Sequence, residues 1–262
     1  MKLGAQIFTM RDFCKTERDF ARTLERVKAM GFEVVQISTI SPDITPKRIK
    51  ELCDANGLQI VLTHRNIERI ITDTDRVIEE HQIMDCPYIG IGMLQEPYRC
   101  KEWIRYFGED FRKPAEKIAA AGQLLMYHNH AIEFGRIEAD GITKSGETTC
   151  VMDLLLDWFS PEEMGVTLDT YWVQAAGADV CKWIAKLHDR LHCVHLKDMG
   201  SNWKNESLVA PVMEGNMDFV AIMAALEKTC CKYALIEQDI CQEDPFVCME
   251  KSYRNLNKLG YR

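Results

Sequence analysis

The strongest constraint on this chain is an alternation repeated eight times: a short apolar run, then a stretch with helical periodicity. Residues 2–8 read as the first strand, and 16–30 as an amphipathic helix that Gly31 ends. Strand-like runs follow at 32–38, 58–63, 87–93, 124–134, 164–169, 191–197 and 233–237. Between and after them lie helical stretches at 46–56, 73–84, 101–121, 151–158, 178–189, 217–229 and 245–259. Pro46 sits in the first turn of its helix, and Gly57 and Gly122 close two others, as helix-end chemistry requires.

The strands are continuous apolar runs rather than alternating ones, which is the pattern of parallel strands covered on both faces. A (β/α)8 TIM barrel satisfies the strand count, the right-handed crossover rule and the usual size of about 250 residues. We expect one such domain over residues 1–262. An open doubly wound sheet is the alternative, but no Gly-x-Gly-x-x-Gly follows the first strand. Two polar segments interrupt the alternation. Residues 135–149 read as an inserted hairpin or loop, and 200–215, with Trp203 in the middle, as a candidate lid.

Composition narrows the function classes. With 32 basic and 40 acidic residues the net charge is −8, and no long basic run occurs, so a nucleic-acid surface is disfavoured. There is no apolar stretch of about 20 residues and no charged-then-apolar leader, so no membrane span is expected. The eleven cysteines form no Cys-x-x-Cys pair, and Cys86, Cys193 and Cys241 sit in or beside apolar runs. They read as reduced thiols acting as small hydrophobes, which places the chain in a reducing cytoplasm.

Polar groups collect where the apolar runs end. The third run ends on His64, the fifth on His128 and His130 with Glu133 beyond, and the sixth on Asp169. The seventh presents His195 and Lys197, and the eighth ends on Glu237. On a strand, His128 and His130 share one face. In a barrel of this kind chemistry sits at the carboxyl ends of the strands. Carboxylates and imidazoles converging there suit a divalent ion such as Mn²⁺, Co²⁺, Fe²⁺, Mg²⁺ or Zn²⁺, and the lack of a thiolate argues against a closed structural zinc site. Each residue alone has a plainer reading: Asp169 as a turn cap, His195 as a satisfied core histidine, Glu237 as a partner of Lys197. Their placement on successive strand ends favours a shared site.

The segments LGAQIFTMRD, YHNHAIEF, GVTLDTYWVQAAG, VHLKD and IEQD together resemble the xylose isomerase-like barrels, in particular sugar phosphate isomerases and epimerases with inosose dehydratase and ketose 3-epimerase relatives. The resemblance spans essentially the whole chain. It implies one divalent ion, often Mn²⁺, with Asp169, His195 and Glu237 as ligands. The remaining ligand comes from strand five, where the family usually has Glu. Here His128 occupies the matching position, so either His128 ligates or Glu133 bends back to do so. We take Glu133 as the ligand and His128 as base or alternate ligand.

The implied reaction is removal of a proton beside a carbonyl to give an enediolate, with His128, His130 or the metal-site carboxylate Glu237 as base. His64 and Lys197 are candidates for holding substrate hydroxyls or a phosphate, Trp172 for stacking on a sugar face, and Arg11 for an anionic group. The expected partner is a small sugar or sugar phosphate, with no nucleic acid, and relatives allow a homo-oligomer. A lyase or dehydratase acting on a keto sugar or inosose uses the same enolate. An abasic-site endonuclease would need further metal ligands, and an inactive scaffold barrel would not need Asp169, His195 and Glu237.

Overall fold

The computed structural model describes residues 1–137 and 149–262. Eight strands close into a parallel barrel: β1 (Lys2–Gln6), β2 (Val34–Ile37), β3 (Gln59–Arg65), β4 (Tyr88–Ile91), β5 (Leu124–His128), β6 (Met164–Asp169), β7 (Leu191–Leu196) and β8 (Tyr233–Ile236). Strand β1 pairs with both β2 and β8, which closes the sheet and rules out the open doubly wound alternative. The continuous apolar runs now have their reason. Val34, Leu62, Met126, Cys193 and Leu235 fill the interior, while Ile60, Ile89, Leu125, Val194 and Ile236 belong to the core shared with the helices. Gly4 and Gly165 are small because a Cβ at either would lie 2.6 Å from Leu235 and Val34 or from Met126.

Local chemistry sets the helix ends. Thr16 caps Glu17–Ala29 by accepting from the Asp19 amide, and Thr45 caps Pro46–Ala55 by accepting from Arg48. Gly31 and Gly57 adopt φ of +107° and +61°, where a side chain would be strained. Four elements depart from the sequence reading. The fifth strand stops at His128, and a 3-10 turn, Ile132–Phe134, takes up the end of the expected run. The first strand stops at Gln6, whose side chain accepts from the Phe8 amide and starts a 3-10 helix at Ile7–Phe13. Two short helices, Ile67–Thr72 and Thr170–Ala175, were not legible as periodic segments. Each is started by a side-chain cap, Asn66 or Asp169, rather than by an amphipathic stripe.

The expected insertion begins and ends as an antiparallel pair, Arg136–Ile137 with Thr149–Cys150, and its centre lies outside the described residues. The expected lid is a hairpin, Asp198–Ser201 against Ser207–Ala210. The Asp198 carboxylate anchors it by accepting from the amides of Met199, Met213, Gly215 and Met217. Trp203 is fully exposed at its tip and does not line the rim cavity, so the hairpin is not closed over the site. All eleven cysteines are free thiols, and burial pushes Cys86 up to about 12. No helix among the described residues is long and apolar enough to cross a membrane.

Candidate metal centre

At the carboxyl end of the barrel four buried side chains meet: His128 from the end of β5, Asp169 from β6, His195 from β7 and Glu237 just past β8. One donor atom from each lies within 4.8 Å of the other three. Each strand ends its apolar run at the same level, so parallel register alone brings the groups together. Asp169 stands beside His195 in the register of β6 and β7, and the Glu237 amide donates to the Leu196 carbonyl.

Both histidines are oriented by the ring nitrogen that faces away from the cluster. His128 donates from Nδ1 to the Gly92 carbonyl at 2.8 Å, leaving Nε2 to face Asp169 Oδ2 at 3.2 Å. His195 donates from Nε2 to Gln36 Oε1 at 2.7 Å, leaving Nδ1 2.8 Å from Glu237 Oε2 and 3.9 Å from Asp169 Oδ2. His195 Nδ1 and Glu237 Oε2 are buried and make no aligned hydrogen bond. The Lys197 ammonium lies 3.0 Å from Oε2, and a cation between Oε2 and Nδ1, or a proton on Nδ1, would satisfy the histidine nitrogen as well. Two imidazole nitrogens and two carboxylates, with no thiolate, form a donor set that fits a divalent transition metal.

Asp169 divides its oxygens. Oδ1 accepts from the Trp172 amide and caps the helix Thr170–Ala175, while Oδ2 faces the cluster. The cap and the candidate ligand are one residue. Asn129 steadies it by accepting from the Asp169 amide at 2.9 Å. Lys197 brings the balancing charge: its buried ammonium lies 3.0 Å from Asp169 Oδ2, 3.0 Å from Glu237 Oε2 and 2.8 Å from Asp239 Oδ2. Burial would raise both carboxyls, but Lys197 overrides it and holds Asp169 and Glu237 below the ordinary range. Burial pulls Lys197 the other way, and the three carboxylates override it, leaving its ammonium above its ordinary value. Such pairing is what a charged lysine in the interior needs. Burial and then Glu237 push Asp239 up.

Glu133 is placed elsewhere. Its carboxylate accepts from the Tyr127 hydroxyl and the His130 amide, each at 2.7 Å, and it is not one of the four clustered donors. Tyr127 packs its ring on Phe107 in the helix layer, so this bond draws Glu133 away from the barrel axis. Glu133, expected as the fourth ligand, thus lies outside the cluster, and His128 stands in that position. Glu133 instead braces the turn that presents His130.

The remaining expected residues border the centre unequally. His64 and His130 line a rim cavity of about 470 Å³ together with His128, Lys197 and Glu237. His64 stacks 5.2 Å from His128 and leaves Nε2 buried without a partner, and burial holds it well below the ordinary histidine range. His130 leaves Nδ1 buried and unpartnered, and burial, reinforced by His128, lowers it to about 3. Trp172 packs its ring 5.0 Å from His130, which keeps it behind that imidazole rather than on the cavity wall. Arg11 lines the cavity but donates to the Phe8 and Asp239 carbonyls, tying the first loop to the last.

Gln36, Asn129 and Asp239 escaped the sequence reading. Gln36 lies inside the apolar run VVQIS, and a lone amide there was the available signal. Asp239 closes the IEQD segment already singled out for Glu237.

Comparison with known proteins gives the same picture. A family described as "Xylose isomerase-like TIM barrel" matches residues 24–239. No curated protein matches the chain by sequence. Among solved structures, a sugar phosphate isomerase/epimerase from Parabacteroides distasonis superposes with a TM-score of 0.76 at 22% identity, covering 97% of this chain and 93% of that one. An L-ribulose 3-epimerase superposes at 0.72 with 16% identity, covering 99% and 94%. A probable 3-DHS dehydratase from Bacillus anthracis superposes at 0.71 with 13% identity, covering 98% and 99%. At these identities the structures speak for the fold alone. The family match covers most of the sequence, and the chain belongs to the xylose isomerase-like TIM barrel family.

Proposed function

We propose that the protein is a divalent-metal-dependent isomerase or epimerase of a sugar or sugar phosphate, working at the carboxyl-terminal rim of the barrel. The observation that carries this reading is the cluster of His128, Asp169, His195 and Glu237 beside a cavity walled by two imidazoles. An ion held by these four, with Mn²⁺ the first candidate, would supply Lewis acidity to a carbonyl oxygen and its neighbouring hydroxyl. The chain's own residues account for the rest. His130 lines the cavity with Nδ1 free of a protein partner, and this placement makes it the candidate base for the proton on carbon. His64 offers a second uncharged nitrogen to a substrate hydroxyl. Lys197, whose ammonium is held by Asp169, Glu237 and Asp239, fixes a positive charge at the cavity wall that would favour a developing negative oxygen through space.

A second reading, a lyase or dehydratase acting on a keto sugar or inosose, draws support from the same wall. Elimination needs an acceptor for the proton beside the carbonyl, the same role that the first reading gives His130. The test is incubation of the metal-loaded protein in heavy water with a panel of keto sugars, their phosphates and an inosose. Deuterium entering beside the carbonyl with an isomer or epimer as product supports the first reading. A dehydrated product replaces it with the second, and no exchange in any substrate contradicts both.

A further inference from the structure

We infer that Gln36 is a positioning residue for the metal centre: it sets the tautomer of His195 so that Nδ1, rather than Nε2, is the ligating atom. This rests on the metal reading of the cluster and adds a residue on the opposite side of the barrel. Gln36 belongs to β2 and His195 to β7, and β1 and β8 stand between those strands in the sheet. The contact therefore spans the barrel interior rather than following a strand ladder. Both side chains are completely buried, with Gln36 Oε1 2.7 Å from His195 Nε2.

The amide turns Oε1 to His195 and Nε2 to the Ser38 hydroxyl at 3.3 Å. The hydroxyl could serve either end of the amide, and it is the placement of Nδ1 among the clustered donors that requires Oε1 to face Nε2. A carbonyl oxygen can only accept, so Nε2 of His195 carries the hydrogen and Nδ1 of the neutral ring keeps its lone pair. That lone pair lies 2.8 Å from Glu237 Oε2, in the contact that lacks an aligned hydrogen bond. With the opposite tautomer the hydrogen would sit on Nδ1, on the side of Glu237, and that nitrogen would have no lone pair for a cation. Gln36 thus reserves the nitrogen for a cation. The classes of residue that do this elsewhere, carboxylates, carbonyls and waters on the far nitrogen of a ligating histidine, change metal affinity about 10- to 100-fold when removed.

Three variants test the assignment. Gln36→Leu removes the acceptor, Gln36→Glu keeps an acceptor at that position, and Ser38→Ala removes the hydroxyl that the amide nitrogen faces. Long-range ¹H–¹⁵N spectra of the metal-free proteins read the tautomer of His195 directly, and titration with Mn²⁺ alone reads affinity without any turnover. The parent is expected to hold the Nε2–H form. Gln36→Leu should move His195 to the Nδ1–H form and weaken Mn²⁺ binding about 10- to 100-fold. Gln36→Glu should keep the parental tautomer and at least the parental affinity, and Ser38→Ala should shift both readouts in the direction of Gln36→Leu by a smaller amount.

Gln36→Leu with parental tautomer and parental affinity would overturn the inference. So would loss of Mn²⁺ in Gln36→Glu with the tautomer unchanged, because the amide would then serve packing alone. If Gln36→Leu does not fold, Gln36→Glu decides: a carboxylate can only accept, so an Nδ1–H ring in that variant overturns the inference. Absence of Mn²⁺ binding in the parent contradicts the metal reading itself, while the tautomer measurement still judges the role of Gln36.

Discussion

The Lys197 ammonium lies 3.0 Å from Asp169 Oδ2, the same oxygen that meets His128 Nε2 at 3.2 Å. One carboxylate oxygen therefore serves a resident cation and the cluster of donor atoms at once. Replacing Lys197 by Met should leave Asp169, Glu237 and Asp239 without their shared counter-ion. Breaking a buried pair from one side costs about 3–5 kcal/mol. Denaturant unfolding of the metal-free variant should show a loss of that order, and Mn²⁺ should restore more stability to Lys197→Met than it adds to the parent. Equal gains in both proteins would show that the ammonium and the ion do not share the carboxylates.

Glu133→Gln separates bracing from ligation. The Tyr127 hydroxyl and the His130 amide both donate to this buried carboxylate, so the substitution forces one poor contact, worth about 1–3 kcal/mol. Unfolding should report that loss while bound metal stays at the parental level. Metal loss at unchanged stability would return Glu133 to the ligand set.

His130→Ala should lower turnover and proton exchange while metal content stays near parental, because His130 is not one of the four clustered donors. General-base groups contribute about 10²–10⁴-fold, and the fall should lie in that range. An emptied metal site in this variant would show that the division between ligand and base is wrong.

His81 gives a pH prediction away from the site. It is buried between the Thr63 hydroxyl and the Val77 carbonyl, and burial, with Arg65 second, lowers it to about 3. The unfolded ring titrates near 6.5, so between about 6.5 and 3 the unfolded chain binds a proton that the folded chain refuses. Its share of stability is complete above the unfolded value and is lost as pH falls below about 6.5, by about 1.4 kcal/mol per pH unit. His81→Gln should flatten the slope of unfolding free energy between pH 6 and pH 4 by about that much. An unchanged slope would mean that His81 charges within the folded protein.

Much of the barrel was legible because its physics is periodic. Each strand end carrying Asp169, His195 or Glu237 could be placed at one level from the apolar run before it. What the periodicity lacks is direction beyond the strand. Glu133 lies within a short 3-10 turn, Ile132–Phe134, and whether such a turn aims its side chain inward depends on a partner across the layer, here Tyr127. Gln36 was illegible for the opposite reason. It sits inside a strand, and its meaning comes from His195, 159 positions away. The short helices after His64 and Asp169 were hidden because a single capping side chain starts each one.

The most direct test of the metal centre is equilibrium dialysis of the parent and of Asp169→Asn against Mn²⁺, followed by elemental analysis. Asn retains an oxygen to cap the Trp172 amide, so the substitution removes the charge that faces the cluster while sparing the turn. The parent is predicted to hold about one equivalent and Asp169→Asn close to none, as expected when a charged ligand of a four-donor site is neutralised. Equal occupancy in the two proteins, or a parent that retains no ion at any concentration tested, would contradict the assignment of His128, Asp169, His195 and Glu237 as a metal centre.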